Sequence, residues 1–297
     1  TVKLTRSSLF ATPIRRMLIS AILLGGLLWG MSQLARQATA NQTALETLTG
    51  RQAINRLEQN RLEQNKIQSP ESSLQEAILL ANDGAMDDFF GISVAINGDT
   101  AVVGSDGDDI GGNSNQGSAY VFVRSDTTWA LQQKLTASNG AANDLFGASV
   151  EISGNTVVVG APGHDSPSLA DTGSVYVFVR TGTTWTQQQA LNAAVPIAEG
   201  FGISVAISGE TVVVGATTDS QRGSAYVFTR MGTAWSQQQN LTVPTAFSSA
   251  QIGKSVAIDG DTVVLGAPND LVGGFSVGSA YVFTRAGTAW TQQQQLL

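Results

Sequence analysis

One unit occurs four times in this chain, and it restricts the possible fold more than any other feature. The stretch Phe146 to Leu191 shows it whole. It opens Phe146-Gly147-Ala148-Ser149-Val150-Glu151-Ile152, turns at Ser153-Gly154-Asn155, and runs on as Thr156-Val157-Val158-Val159-Gly160-Ala161-Pro162. A polar loop leads to Gly173-Ser174-Val175-Tyr176-Val177-Phe178-Val179-Arg180. A second turn, Thr181-Gly182-Thr183, leads to Trp185-Thr186-Gln187-Gln188-Gln189-Ala190-Leu191. The Phe-Gly opening stands at Phe90, Phe146 and Phe201, with Ile252-Gly253 in the last copy, at steps of 56, 55 and 51 residues. Trp129, Trp185, Trp235 and Trp290 keep the same rhythm, as do the Tyr-Val-Phe triplets at Tyr120, Tyr176, Tyr226 and Tyr281. A period of this size with four strand-like runs per unit points to propeller blades or a β-solenoid.

The chemistry of the runs favours blades. In the first run, Ile92, Val94 and Ile96 alternate with Ser93 and Ala95. Short turns such as Asn97-Gly98 and Asp259-Gly260 then suit a tight hairpin. The second run is continuously apolar, as in Thr211-Val212-Val213-Val214-Gly215, which suits a strand covered on both faces. A blade between two other blades offers that environment, whereas a two-layer sandwich covers one face only. The fourth run is polar between its ends, as in Trp235-Ser236-Gln237-Gln238-Gln239-Asn240-Leu241, which suits an outer edge that must not pair with other molecules.

This pattern resembles the FG-GAP repeat, the blade unit of the integrin α-subunit propeller and of many bacterial extracellular proteins. Gly-Ala-Pro stands at Gly160-Ala161-Pro162 and Gly266-Ala267-Pro268, and is altered to Gly104-Ser105-Asp106 and Gly215-Ala216-Thr217. The resemblance implies an all-β fold, a β-propeller of four-stranded antiparallel blades, over residues 73–297. Sixteen strands are expected between Phe90 and Leu297, with the valine-rich second strands near the centre. Ser73-Leu74-Gln75-Glu76-Ala77-Ile78-Leu79-Leu80-Ala81 aligns with Trp129 to Ala137, so a strand of the fourth type is expected ahead of the first full repeat. Integrin-type propellers have seven blades. The four repeats are therefore expected either to belong to such a larger ring, to close a small ring with Ser73–Leu80, or to stay open. The last copy's Val263-Val264-Leu265 is as apolar as the internal ones, so its outward face would be an interaction surface or an aggregation hazard if uncovered.

The N-terminal region is different. Residues 1–40 hold Lys3, Arg6, Arg15, Arg16 and Arg36 and no acid. An apolar core from Met17 to Met31 and the ending Ala38-Thr39-Ala40 complete the layout of a secretory signal peptide, with cleavage expected before Asn41. The rival reading is an uncleaved membrane anchor over residues 17–34. Residues 41–72 have helical composition, with Arg56-Leu57-Glu58-Gln59-Asn60 repeated at once as Arg61 to Asn65. A five-residue step holds no face of a helix, so this region is expected to be a helical or disordered linker, not a coiled coil. The rest of the chain carries 11 basic and 23 acidic residues, which disfavours nucleic acid and anionic membrane as partners. With no cysteine, disulfides and thiolate metal sites are excluded.

Candidate sites are few. In the integrin family, Ca²⁺ is held in an Asp-rich loop between the first and second strands. Here those connections are the short turns at Asn97-Gly98-Asp99, Ser153-Gly154-Asn155, Ser208-Gly209-Glu210 and Asp259-Gly260-Asp261. They cannot wrap an ion that takes about six to eight oxygens. Asp106, Asp108 and Asp109, between the second and third runs of the first copy, form an acidic cluster that is either a Ca²⁺ candidate or a solvated loop. Asp87-Asp88 and Asn143-Asp144 are expected to cap turns. His164 is the only histidine, so a Ser-His-Asp triad would have to be built on it, and its neighbours Asp165 and Ser166 do not give triad geometry. No phosphate loop, zinc-protease or dinucleotide motif is present. The expectation is a non-enzymatic, secreted or envelope-bound binding or adhesion module for a protein or glycan, needing no cofactor. The alternative is a propeller hydrolase or the accessory domain of a secreted enzyme.

Overall fold

The computed structural model describes residues 77–166, 171–194 and 200–297. The expected leader or anchor at residues 1–40 and the expected helical linker at residues 41–72 lie outside the described residues. Among the described residues, no helix is long and apolar enough to cross a membrane.

Four antiparallel sheets of four strands follow one another along the chain. The first comprises β1 (Val94–Asn97), β2 (Thr100–Ser105), β3 (Ser118–Ser125) and β4 (Thr128–Leu135). The second comprises β5 (Ser149–Ser153), β6 (Thr156–Ala161), β7 (Ser174–Thr181) and β8 (Thr184–Leu191). The third comprises β9 (Phe201–Ser208), β10 (Thr211–Ala216), β11 (Ser224–Met231) and β12 (Ala234–Leu241). The fourth comprises β13 (Ser255–Asp259), β14 (Thr262–Ala267), β17 (Ser279–Ala286) and β18 (Ala289–Leu296). Between β14 and β17 a small hairpin, β15 (Leu271–Val272) and β16 (Phe275–Ser276), adds two strands that the repeat did not announce. Each large sheet runs first, second, third, fourth strand in order, the simple meander of a propeller blade. The first strands β1, β5, β9 and β13 adjoin one another from blade to blade, so they lie innermost and the second strands come next.

Apolar alternation decides how the blades stack. One face of the first blade (Val102, Ala119, Val121, Leu135) packs on Phe146, Val157, Tyr176 and Phe178 of the second. The same residue types form the seams between the second and third blades and between the third and fourth. The second strands of the first three blades are buried at every position, on both faces, as the continuous apolar run requires. In β14 burial alternates instead, because no further blade covers its outward face.

The strand expected at Ser73–Ala81 is not formed where it is described: residues 77–81 make no strand, while residues 73–76 lie outside the described set. Its packing role survives. Leu79 and Ala81 rest on the first blade beside Tyr120, Phe122 and Trp129, as Leu135 and Ala137 rest on the second. A fourth strand pairs with the third strand of its own sheet, and among the described residues no such strand precedes residue 77.

Polar side chains lock each seam. Ser93, Ser149 and Ser204 donate from Oγ to the carbonyls of Gly147, Gly202 and Gly253 in the following blade, at 2.6, 2.8 and 2.7 Å. Those carbonyls come close because Gly104, Gly160 and Gly215 lack a side chain; a Cβ there would sit 2.0 Å from the oxygen. Gln133 clamps the backbone of Trp185, accepting from its N–H at 2.8 Å and donating to its C=O at 2.7 Å. Gln132 accepts from the same indole at 2.8 Å. Gln189 with Gln188 repeats this on Trp235, and Gln239 with Gln238 on Trp290.

Candidate functional site

Antiparallel order gives each blade two unlike ends. The first-to-second and third-to-fourth connections share one end. At that end the first-to-second connections are two-residue turns, at residues 98–99, 154–155, 209–210 and 260–261. Their polar residues are all engaged. Asp99, Asn155, Glu210 and Asp261 accept hydrogen bonds from Arg124, Arg180, Arg230 and Arg285. Each guanidinium also lies over a tryptophan of its own blade, with 5.0 to 5.6 Å from its carbon to the ring centre. Three of them reach the preceding blade, Arg180 to Thr100, Arg230 to Thr156 and Arg285 to Thr211. This end is therefore framework.

The opposite end carries the second-to-third loops, and one residue position organises them. Counting four residues on from the glycine of the Gly-Ala-Pro motif gives Asp108, His164, Asp219 and Asp270. Asp108, Asp219 and Asp270 are buried. Each accepts from the serine that opens its third strand, Ser118, Ser224 or Ser279, at 2.5 Å. Each also meets the tyrosine two residues on, Tyr120, Tyr226 or Tyr281. The backbone closes the loop at the same point. Gly117, Gly173, Gly223 and Gly278 donate to the carbonyls of Asp108, His164, Asp219 and Asp270 at 2.9, 2.9, 2.8 and 3.1 Å. These glycines have φ between 74° and 84°, a conformation that resists any other side chain.

The electrostatics follow from the burial. Burial and nearby carboxylates push the Tyr120 hydroxyl up to about 12. Lys134 spans Asp108 and Asp83 at 2.6 and 2.7 Å. Burial opposes its charge, but the two carboxylates outweigh that and raise its pKa. The bond from Lys134 holds the Asp83 carboxyl below its ordinary value. Burial likewise opposes the charge on Asp270, but donors from Ser279, Tyr281 and two backbone amides prevail and its pKa is lowered. In the third and fourth blades burial and the adjacent carboxylate raise Tyr226 and Tyr281.

The second blade departs from this scheme. His164 stands in the aspartate's place, with Nδ1 2.8 Å from Asp144 and Nε2 3.1 Å from the Asn139 amide. Ser174 turns to Asn192. The Tyr176 hydroxyl is left buried without a hydrogen bond; Asn139 and Ser174 lie near it but out of bonding geometry. Burial and the Asp144 charge push it up to about 12.

The acidic cluster of the first blade is not assembled as an ion site. Asp108 turns inward to Ser118, Tyr120 and Lys134, while Asp109 accepts from the backbone N–H of Asn115. Asp106 is half-buried, and burial raises its pKa. Among the described residues, no group of three or more histidine or acidic side chains is placed to hold a metal. Asp88 and Asp144 do cap turns, accepting from the N–H of Ala85 and Ala141. Both ring nitrogens of His164 are occupied by Asp144 and Asn139, and Asp165 accepts from the Asp171 backbone, so the triad of sequence neighbours is not formed. The organising position itself was readable: aligning the copies on the glycine gives Asp, His, Asp, Asp.

Above this common base the loops differ. The first carries a bridge between Ile110 and Asn113, the third a 3-10 turn at Asp219–Gln221, and the fourth the β15–β16 hairpin. The fourth-to-first connection of the next blade lies against each of the first three, as where Asn143 and Leu145 donate to Ser114 and Asn115. Large apolar side chains are exposed on these connections: Met86 and Phe89 ahead of the first blade, Phe247 between the third and fourth, Phe275 and Val277 in the fourth.

The FG-GAP repeat family model matches the chain four times, at residues 74–122, 129–178, 185–228 and 235–283, well over half its length. Each match after the first opens in the fourth strand of one blade and ends in the third strand of the next, so it spans the seam rather than the sheet. No curated protein matches the chain. With the blade order, the seam contacts and four matches in register, the chain belongs to the FG-GAP repeat family.

Proposed function

We propose that this chain is a non-enzymatic binding or adhesion module of the cell surface or extracellular space, engaging a protein or glycan through the loop end of its blades. One observation carries this reading: four unlike loops stand on one repeated base, with exposed apolar side chains among them. A framework that holds its loops alike and lets their tips differ suits recognition of an extended ligand. Catalysis would call for acids or a histidine free to face a substrate, and those of the loop bases are turned into the framework. Export belongs to the same reading, with a mature N-terminus at Asn41.

The test is binding of the protein to arrays of immobilised envelope glycans and surface proteins, with Phe275→Ser/Val277→Ser and Met86→Ser beside the parent. Binding that a loop variant abolishes while the fold is retained supports the proposal. Binding that survives both variants and loop exchange places recognition elsewhere. Turnover of a bound glycan or peptide would favour the hydrolase alternative.

A further inference from the structure

The corner beneath the second-to-third loop is complete in the first blade and incomplete in the second. In the first, Asp83 gives one oxygen to the Tyr120 hydroxyl, at 2.8 Å, and the other to the Lys134 ammonium, at 2.7 Å. In the second, 56 residues on, Asn139 stands in the place of Asp83, His164 in that of Asp108 and Tyr176 in that of Tyr120. Ala190 pairs with Tyr176 as Lys134 pairs with Tyr120, so no lysine enters this corner. The Asn139 carboxamide serves one neighbour of two. Its Nδ2 lies 3.1 Å from His164 Nε2, while the buried Tyr176 hydroxyl beside it has no hydrogen bond. A carboxylate at this position would offer an acceptor oxygen to each, as Asp83 does.

The means of making that carboxylate are at hand. Asn139 is exposed, and the residue after it, Gly140, has no side chain to shield its backbone nitrogen. The Gly140 N–H makes a long bond, 3.2 Å, to the Ala137 carbonyl. His164 holds Nε2 against the carboxamide nitrogen, within reach for proton transfer. The buried Asp144 carboxylate, 2.8 Å from Nδ1, orients the ring and supports a positive charge on it.

We propose that Asn139 is a self-modification site, at which His164 promotes deamidation to aspartate. The Gly140 nitrogen bonds to Asn139 Cγ and loses its proton to solvent. The Cγ–Nδ2 bond breaks as His164 Nε2 protonates Nδ2, ammonia leaves, and solvent returns a proton to the ring. Water then breaks the new Cγ–N bond, which restores the main chain and leaves an aspartate side chain. One of its oxygens accepts from the charged His164, the other from the Tyr176 hydroxyl.

Peptide mapping by mass spectrometry of the full chain, aged at neutral pH, follows the reaction against an internal standard. Asn97-Gly98 is the chain's other Asn-Gly pair. Strand pairing with Thr100 holds its backbone, its carboxamide accepts from the Gly154 N–H, and the single histidine of the chain is engaged elsewhere. Asn139 should convert faster in the folded chain than in urea, and Asn97 slower. His164→Gln should slow conversion of Asn139 by about a hundredfold and leave Asn97 unchanged. A histidine that merely braced the turn would, when lost, loosen it and speed the reaction. Asn139→Asp should melt above the freshly made parent, and adding Tyr176→Phe should cancel that gain. Folding that protects Asn139, a His164→Gln variant that converts as fast as the parent, isoaspartate as the sole product, or a gain that survives Tyr176→Phe would each overturn the proposal.

Discussion

Asp219 takes a carboxylate out of water and surrounds it with the hydroxyls of Ser224 and Tyr226. Removing it as Asp219→Ala leaves two buried donors without that acceptor, at about 1–3 kcal/mol each, so a loss of about 2–6 kcal/mol in chemical denaturation is expected. Tyrosine truncation should separate the blades. Tyr226→Phe loses a bond to a charged group and should cost about 1.5–3 kcal/mol. Tyr176→Phe removes a hydroxyl that is buried and unbonded, and should be neutral or stabilising. Asp270 adds a pH dependence. Its folded pKa lies below the ordinary 3.8, so its share of stability is present above that value and vanishes as the pH falls through the lowered one. Thermal melts of Asp270→Asn should therefore lose less stability between neutral pH and pH 3 than those of the parent. Sequence alone left Asp108 between a solvated loop and an ion site, because nothing local distinguishes a surface aspartate from one whose acceptors face a serine and a tyrosine about ten residues away.

At the scale of the strand, much was legible. Continuous valine in the second run implied cover on both faces, and β2, β6 and β10 have it. The fourth run was read for its polarity alone, as an edge kept from pairing, and its glutamines do more. Gln189 gives up two hydrogen bonds to the Trp235 backbone on conversion to alanine, which should cost about 1–2 kcal/mol. Gln294→Ala, at the same register in β18, should lie within about 0.5 kcal/mol of the parent. Parallel denaturant titrations of the two variants check this. The clamps escaped the sequence reading because their partners lie about one repeat away and amphipathic logic classes glutamine simply as polar. Arg124 and its counterparts bond within their own blade, 20 to 25 residues back; the period displays the arginines, but not that they close the turns that are too short for an ion.

Across the whole molecule, stability is the sum of blades and seams, each blade touching only its neighbours. The second and third blades have two covered faces, the fourth has one. Amide exchange should therefore be slowest in β6, β7, β10 and β11 and faster in β17 and β18, and equal protection throughout would contradict the single-file arrangement of seams. The architecture was legible at this scale because the same residues recur at the same spacing. The hairpin at β15–β16 was not, since it occurs once and gains no support from repetition.

The closing hydrogen bond beneath each second-to-third loop has a practical corollary. Asp219 and Gly223 close a span of four residues, Asp108 and Gly117 a span of nine, on bonds of nearly equal length. By polymer statistics that extension costs only about 0.7 kcal/mol of chain entropy. Foreign peptides of different lengths could thus be spliced between the same two anchors at trivial thermodynamic expense. The molecule is, in effect, a chassis with interchangeable fittings, and a combinatorial library could diversify every fitting independently.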